Sequence, residues 1–120
     1  MNQSRPSLES GPPPAPVTLV LILVNFAVFF WELHLSPWRQ HVVTNRYALS
    51  LDGVQAGMWW QFFSFQFLHG GWLHLFFNLM FLHSIGPVLE ATIGARRYLS
   101  LYLVSGAVGG LAHLAVAWLS

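Results

Sequence analysis

Residues 67–94 read FLHGGWLHLFFNLMFLHSIGPVLEATIG, and their reading decides the fold. His74 and Asn78 stand four residues apart in an otherwise apolar stretch, so in a helix they share one face, one turn above the other. A helix of this apolarity is a membrane helix. Polar side chains are costly inside hydrocarbon, which makes the pair a candidate functional site. Counting about 100° per residue, Phe81 and Ile85 fall near the same face and His83 falls on the opposite one. One site therefore cannot use both histidines of this helix. The helix is expected from Trp72 to about Glu90, with Pro87 kinking or loosening its last turn because proline lacks a backbone donor.

Composition fixes the class around that stretch. Hydrophobic residues make up 55% of the chain and charged residues 8%, with no lysine, which leaves too few charges to coat a soluble globule. The expected fold is all-α, an integral, multi-pass membrane bundle. Three apolar runs, over residues 17–35, 72–90 and 98–119, suit three spanning helices of about 20 residues each. Residues 1–16 are rich in Pro, Ser and Gly and read as a disordered or polyproline-like tail, leaving residues 17–120 as the transmembrane domain. The polar leader is long, and no A-x-A-like site follows the first apolar run, two departures from a cleavable signal peptide. Asn25 is the only polar interruption of that run before Glu32 and His34, and it is expected to hydrogen-bond a neighbouring helix or its own backbone.

Between the first two runs lies a long connection, residues 36–71, and long connections with their own structure tend to be functional. Residues 37–57 read as a solvated segment. Residues 58–68, MWWQFFSFQFL, are aromatic, and Trp59 and Trp60 suit the membrane interface. Gly94, Arg96 and Arg97 are expected to form the short turn before the third helix. On that helix Tyr102, Ser105, Gly106, Gly109 and His113 fall on one side, which should pack on a neighbour. Val104, Val108, Leu111, Ala115 and Trp118 fall on the other and should face lipid. Gly106 and Gly110 also satisfy the small-xxx-small spacing. Arg5, Arg96 and Arg97 on one side of the bilayer, against Arg39 and Arg46 on the other, favour a cytoplasmic N-terminus.

Several chemistries are excluded or weakened. The formal charge is +1 and no basic cluster exceeds Arg96 and Arg97, so nucleic acid is not an expected partner. Without cysteine there is no disulfide and no thiolate metal site. His69, His74, His83 and His113 allow an alternative reading as a metal or haem protein, since imidazole is a common ligand. Its weakness is that His74 and His83 face apart and no acidic ligand accompanies them. No metal and no cofactor is expected.

The block from Trp60 to Gly94, with His69, His74, Asn78, Glu90 and Gly94 at their present spacings, resembles the first half of the rhomboid family of intramembrane serine proteases. The first apolar run, VTLVLILVNFAVFFWEL, and the third, RRYLSLYLVSGAVGGL, resemble the helices that flank it in that family. The resemblance implies a six-helix core that cleaves transmembrane segments of other proteins with a Ser/His dyad. It makes His74 and Asn78 oxyanion-hole candidates, and Trp60, His69, Glu90 and Gly94 structural supports. The family's nucleophile lies in a GxSG motif, and no GxSG occurs here; Ser105 precedes Gly106, but Leu103 stands where the motif needs glycine. Gln61 follows Trp60 where many rhomboids have arginine, and Thr92 stands where an arginine is often found. The expectation is a partial rhomboid-like domain, a fragment inactive alone, whose uncovered helix faces favour poor stability or self-association. A second reading is a non-catalytic protein that binds transmembrane helices in the bilayer.

Overall fold

The computed structural model describes residues 13–120, so most of the tail expected over residues 1–16 lies outside the described residues. The described residues form six helices, α1 (Pro16–Leu33), α2 (Pro37–Tyr47), α3 (Leu51–Gln55), α4 (Gln61–Ser64), α5 (Trp72–Ile93) and α6 (Ala95–Leu119), with a 3-10 turn at Phe65–Phe67. No strand occurs among the described residues. Helices α1, α5 and α6, of 18, 22 and 25 residues, are long and apolar enough to cross a membrane. At 1.5 Å per residue they span roughly 27 to 38 Å, against a hydrocarbon core about 30 Å thick. This is an integral membrane protein.

Helix boundaries depart from the sequence expectation wherever a cap or turn decides them. α1 starts at Pro16, because proline suits the first helical turn, where its missing N–H would have had no partner. It stops at Leu33 rather than residue 35, where the His34 ring folds back on the Phe30 carbonyl at 2.7 Å. α5 runs through Pro87 and ends at Ile93, past the expected Glu90. Gly94 alone joins α5 to α6, with φ of +87°, a conformation that favours glycine. Arg96 and Arg97 therefore belong to the first turn of α6, not to a loop.

The segment read as solvated, residues 37–57, is largely exposed and holds two helices. α2 begins at Pro37, and α3 is capped by Ser50, whose hydroxyl accepts from the Gly53 N–H at 3.0 Å. The last four carbonyls of a helix lack partners within it, and here each one finds a donor. The Ala48 N–H takes Thr44, Gln61 Nε2 takes Asn45 and Arg46 at 3.2 Å each, Trp60 Nε1 also takes Arg46 at 2.9 Å, and Ser64 Oγ takes Tyr47 at 2.6 Å. The aromatic segment thus closes the end of α2 as well as seating at the interface, where Trp59 is largely exposed.

α1 packs mainly on α5, and α6 packs on α5 and on the α3–α4 connection. The small core between the spanning helices is Leu21, Leu82 and Tyr98, flanked by Val17, Leu89 and Tyr102 among others. Gly86 permits this approach, since a Cβ there would stand 2.7 Å from both Thr18 Cγ2 and the Tyr98 hydroxyl. On α6 the buried positions are Tyr98, Gly110 and Leu114, while Gly109 and His113 are exposed, so the packed stripe is rotated from the expected one. The cause is the connection: Gly106 lies against the Gln66 side chain and Gly110 against Leu49 and Phe65, so these glycines receive loop side chains rather than another helix backbone. Val104, Val108, Leu111, Ala115 and Trp118 are exposed, as expected of a lipid-facing side.

Candidate functional site

α5 carries His74 and Asn78 one turn apart, and the residues just before it bring His69 back over them. Asn78 Nδ2 donates to Asn25 Oδ1 on α1 and approaches His69 Nε2, both at 3.2 Å. The His69 and His74 rings meet edge to face with centroids 4.9 Å apart. Asn25 is fully buried, and its own Nδ2 donates to the Leu21 carbonyl at 2.7 Å and toward the Tyr102 hydroxyl of α6 at 3.4 Å. One polar cluster therefore ties all three spanning helices together.

The tautomer of His69 follows from its partner. An N–H arriving from Asn78 makes Nε2 the acceptor, which leaves the proton on Nδ1, a buried atom without a protein partner. Burial, together with the nearby His74 ring, holds the His69 imidazole below its ordinary pKa, so it stays neutral. Neutrality is what lets it accept.

Beside the cluster an open groove of about 600 Å³ runs between α5 and α6. His69, His74 and Asn78 line one part of it, and Phe81, Ile85 and Leu101 line its apolar remainder. The helical count that put Phe81 and Ile85 on the His74 face is met. Ser105 also lines the groove, yet among the described residues no hydrogen bond joins its hydroxyl to a base. A serine without a base is a weak nucleophile.

Of the six residues singled out in the sequence, His69, His74 and Asn78 converge and three do not. Trp60 lies at the end of α2. Glu90 is twelve residues along α5 from Asn78, about 18 Å at helical rise, where its carboxylate accepts from the Val17 and Thr18 N–H groups and the Thr18 hydroxyl, each at 2.8 Å. Gly94 makes the turn. Asn25 was expected only to satisfy itself or a neighbour, and it does both; its place at the site depends on which helix it meets. His83 and His113 are exposed, and among the described residues no group of three or more His, Asp or Glu is placed to hold a metal ion.

Residues 56–120 match the family model of the Rhomboid domain. The chain belongs to the rhomboid family. It is 39% identical over 98 residues to the rhomboid protein YdcA of Bacillus subtilis, covering 79% of this chain and 47% of that one. Rhomboid protease AarA of Providencia stuartii is 33% identical over 97 residues, with coverages of 75% and 33%. Rhomboid protease GlpG of Pectobacterium atrosepticum is 34% identical over 98 residues, with coverages of 82% and 34%. The chain thus spans less than half the length of these relatives. No solved structure matches it. Within this rhomboid chain Gln61 is fully buried and serves the first connection, and the Thr92 hydroxyl donates to the Val88 carbonyl of its own helix at 2.7 Å.

Proposed function

We propose that this chain is the N-terminal part of an intramembrane serine protease that cleaves transmembrane segments of other proteins. The observation that carries the reading is the His69, His74 and Asn78 cluster on the wall of a groove open between α5 and α6, in a chain of the rhomboid family. In this reading the GxSG serine and the base histidine lie outside these 120 residues, and the groove seats the helices that bring them. Attack of the serine oxygen on a peptide carbonyl moves charge onto the carbonyl oxygen. Asn78 Nδ2 and the His74 ring donate to that oxygen, and donors fixed in advance in a dry site stabilise it more than water does. His69, Trp60, Glu90 and Gly94 hold the frame around them.

By itself the chain should not hydrolyse peptide bonds, because an oxyanion hole lowers the barrier only for an attack that some nucleophile has begun. Joined to a rhomboid second half carrying GxSG and the base histidine, it should cleave a transmembrane substrate. Asn78→Ala should then slow turnover by about 10²-fold or more, the usual loss for one oxyanion donor, with a similar or smaller loss for His74→Ala. Cleavage by the unjoined chain that disappears on Ser105→Ala would overturn the reading. The apolar wall of Phe81, Ile85 and Leu101 also suits a non-catalytic binder of transmembrane helices. Stable co-purification of membrane partners, with no cleavage by the joined protein, would favour that alternative.

A further inference from the structure

An oxyanion donor needs a free N–H, and in this structure Asn78 has none. Its Nδ2 carries two N–H groups, one directed to Asn25 Oδ1 and the other to His69 Nε2. One of the two bonds must be given up before Asn78 can serve an oxyanion, and the surroundings distinguish them. Asn25 is fully buried, its own amide is anchored on the Leu21 carbonyl and toward the Tyr102 hydroxyl, and it does not line the groove. His69 is also largely buried, but it lines the groove, sits on the short segment preceding α5 and makes no hydrogen bond through Nδ1. An N–H released by Asn25 would strand a buried oxygen, whereas one released by His69 leaves a nitrogen beside the open groove. A negatively charged oxygen is also a stronger acceptor than a neutral imidazole, so exchange at the His69 side is favourable once such an oxygen forms.

We propose that Asn25 is a positioning residue: it holds one N–H of Asn78 throughout, and the second N–H, resting on His69 Nε2, is the one handed to the substrate oxygen. This rests on the oxyanion role given to Asn78 above. Asn25 touches no substrate. It fixes the rotation of the Asn78 amide, so that the exchangeable N–H faces the groove before substrate arrives, and a misplacement of about 1 Å is enough to cost catalysis on the order of 10²-fold.

The test has two arms. In the first, the complete 120-residue chain is labelled with ¹⁵N-asparagine in nanodiscs and the two Asn78 Nδ2 proton resonances are followed. Both should be displaced from free-amide positions; Asn25→Leu should return one of them, His69→Phe the other, and Asn25→Asp, which keeps an acceptor oxygen, should return neither. Free-amide positions in the unmodified chain, or resonances that ignore Asn25→Leu, would overturn the proposal. The first of these outcomes can be read even where Asn25→Leu fails to insert. In the second arm, the chain joined to the GxSG-bearing half is assayed in proteoliposomes. Asn25→Leu should lower kcat about tenfold or more with KM unchanged. It should add nothing in an Asn78→Ala background, and Asn25→Asp should restore most of the rate. Independent, multiplying losses would mark Asn25 as a packing residue only and sink the idea. If Asn78→Ala itself leaves turnover intact, the oxyanion reading fails instead, and the resonances still decide whether Asn25 holds Asn78.

Discussion

Gln61 is fully buried, and a neutral amide there does something an arginine cannot. Its Nε2 donates to the Asn45 and Arg46 carbonyls at the end of α2, and its Oε1 accepts from the Ser50 N–H at 3.2 Å. Arginine has donors only. Gly53 makes room for it, since any Cβ there would run into the Gln61 amide. Gln61→Leu keeps the bulk and strands the Asn45 carbonyl and the Ser50 N–H, while Trp60 Nε1 still serves the Arg46 carbonyl, so it should destabilise the chain by about 2 to 3 kcal/mol. Denaturant titration in detergent measures it, and a loss under about 0.5 kcal/mol would show that water replaces the amide at no cost. His69 gives a prediction with a definite sign. Its imidazole is held below the ordinary value of 6.5, so the unfolded chain binds a proton that the folded chain refuses. The stability from neutral His69 is therefore complete above about pH 6.5 and is lost as pH falls from there toward the depressed folded value. His69→Gln should flatten that dependence, and an identical pH profile in the variant would assign the acid sensitivity elsewhere.

At the scale of elements, Glu90 is a cap supplied by another helix. α1 has no side-chain cap of its own, and the Glu90 carboxylate on α5 takes the N–H groups of Val17 and Thr18 together with the Thr18 hydroxyl. Glu90→Ala leaves two N–H groups of α1 unmet in a buried place and should cost about 3 kcal/mol, with Glu90→Gln costing less because one acceptor remains. Equal losses for the two variants would mean that the carboxylate acts by charge alone. The same contact explains what was legible in the sequence. The three spanning helices were, because apolar runs of that length have few alternatives, and so was the shared face of His74, Asn78, Phe81 and Ile85, because it depends only on helical repeat. α2 and α3 were not, since the groups that close the end of α2 come from Trp60, Gln61 and Ser64, fourteen to seventeen residues further along. The packed stripe of α6 was misjudged for a related reason: Gly106 and Gly110 receive Gln66, Leu49 and Phe65 from the connection, and no spacing on α6 reveals that. The resemblance offered His69 only as a support, and its place as the acceptor beside Asn78 was not legible, because nine residues and the bend at Gly70 and Gly71 separate them in sequence.

For the whole molecule, we propose from the three candidate spans and the arginine placement that the ends lie on opposite sides of the bilayer with the N-terminus cytoplasmic. Reporter fusions at the two ends should report opposite sides; two ends on one side would remove the three-span arrangement. The groove between α5 and α6 then sets the behaviour of the isolated chain. Its wall carries His74 and Asn78 beside Phe81, Ile85 and Leu101, so leaving it open to lipid exposes polar groups that hydrocarbon cannot satisfy. Another helix could cover it, supplied by further chain, by a partner or by a second copy. Among identical chains only the last is available, and purified protein should accordingly self-associate in mild detergent or unfold readily when diluted to monomer. Ile85→Trp adds bulk to the groove wall without touching the Asn25 and Asn78 bond, and it should weaken self-association while leaving the α1 to α5 contact intact. Sedimentation in density-matched detergent across a range of protein-to-detergent ratios separates the outcomes. A monomer at every ratio, with a high and cooperative unfolding temperature that Ile85→Trp does not change, would mean that lipid or detergent covers the groove adequately, and the need for a further helix there would fall.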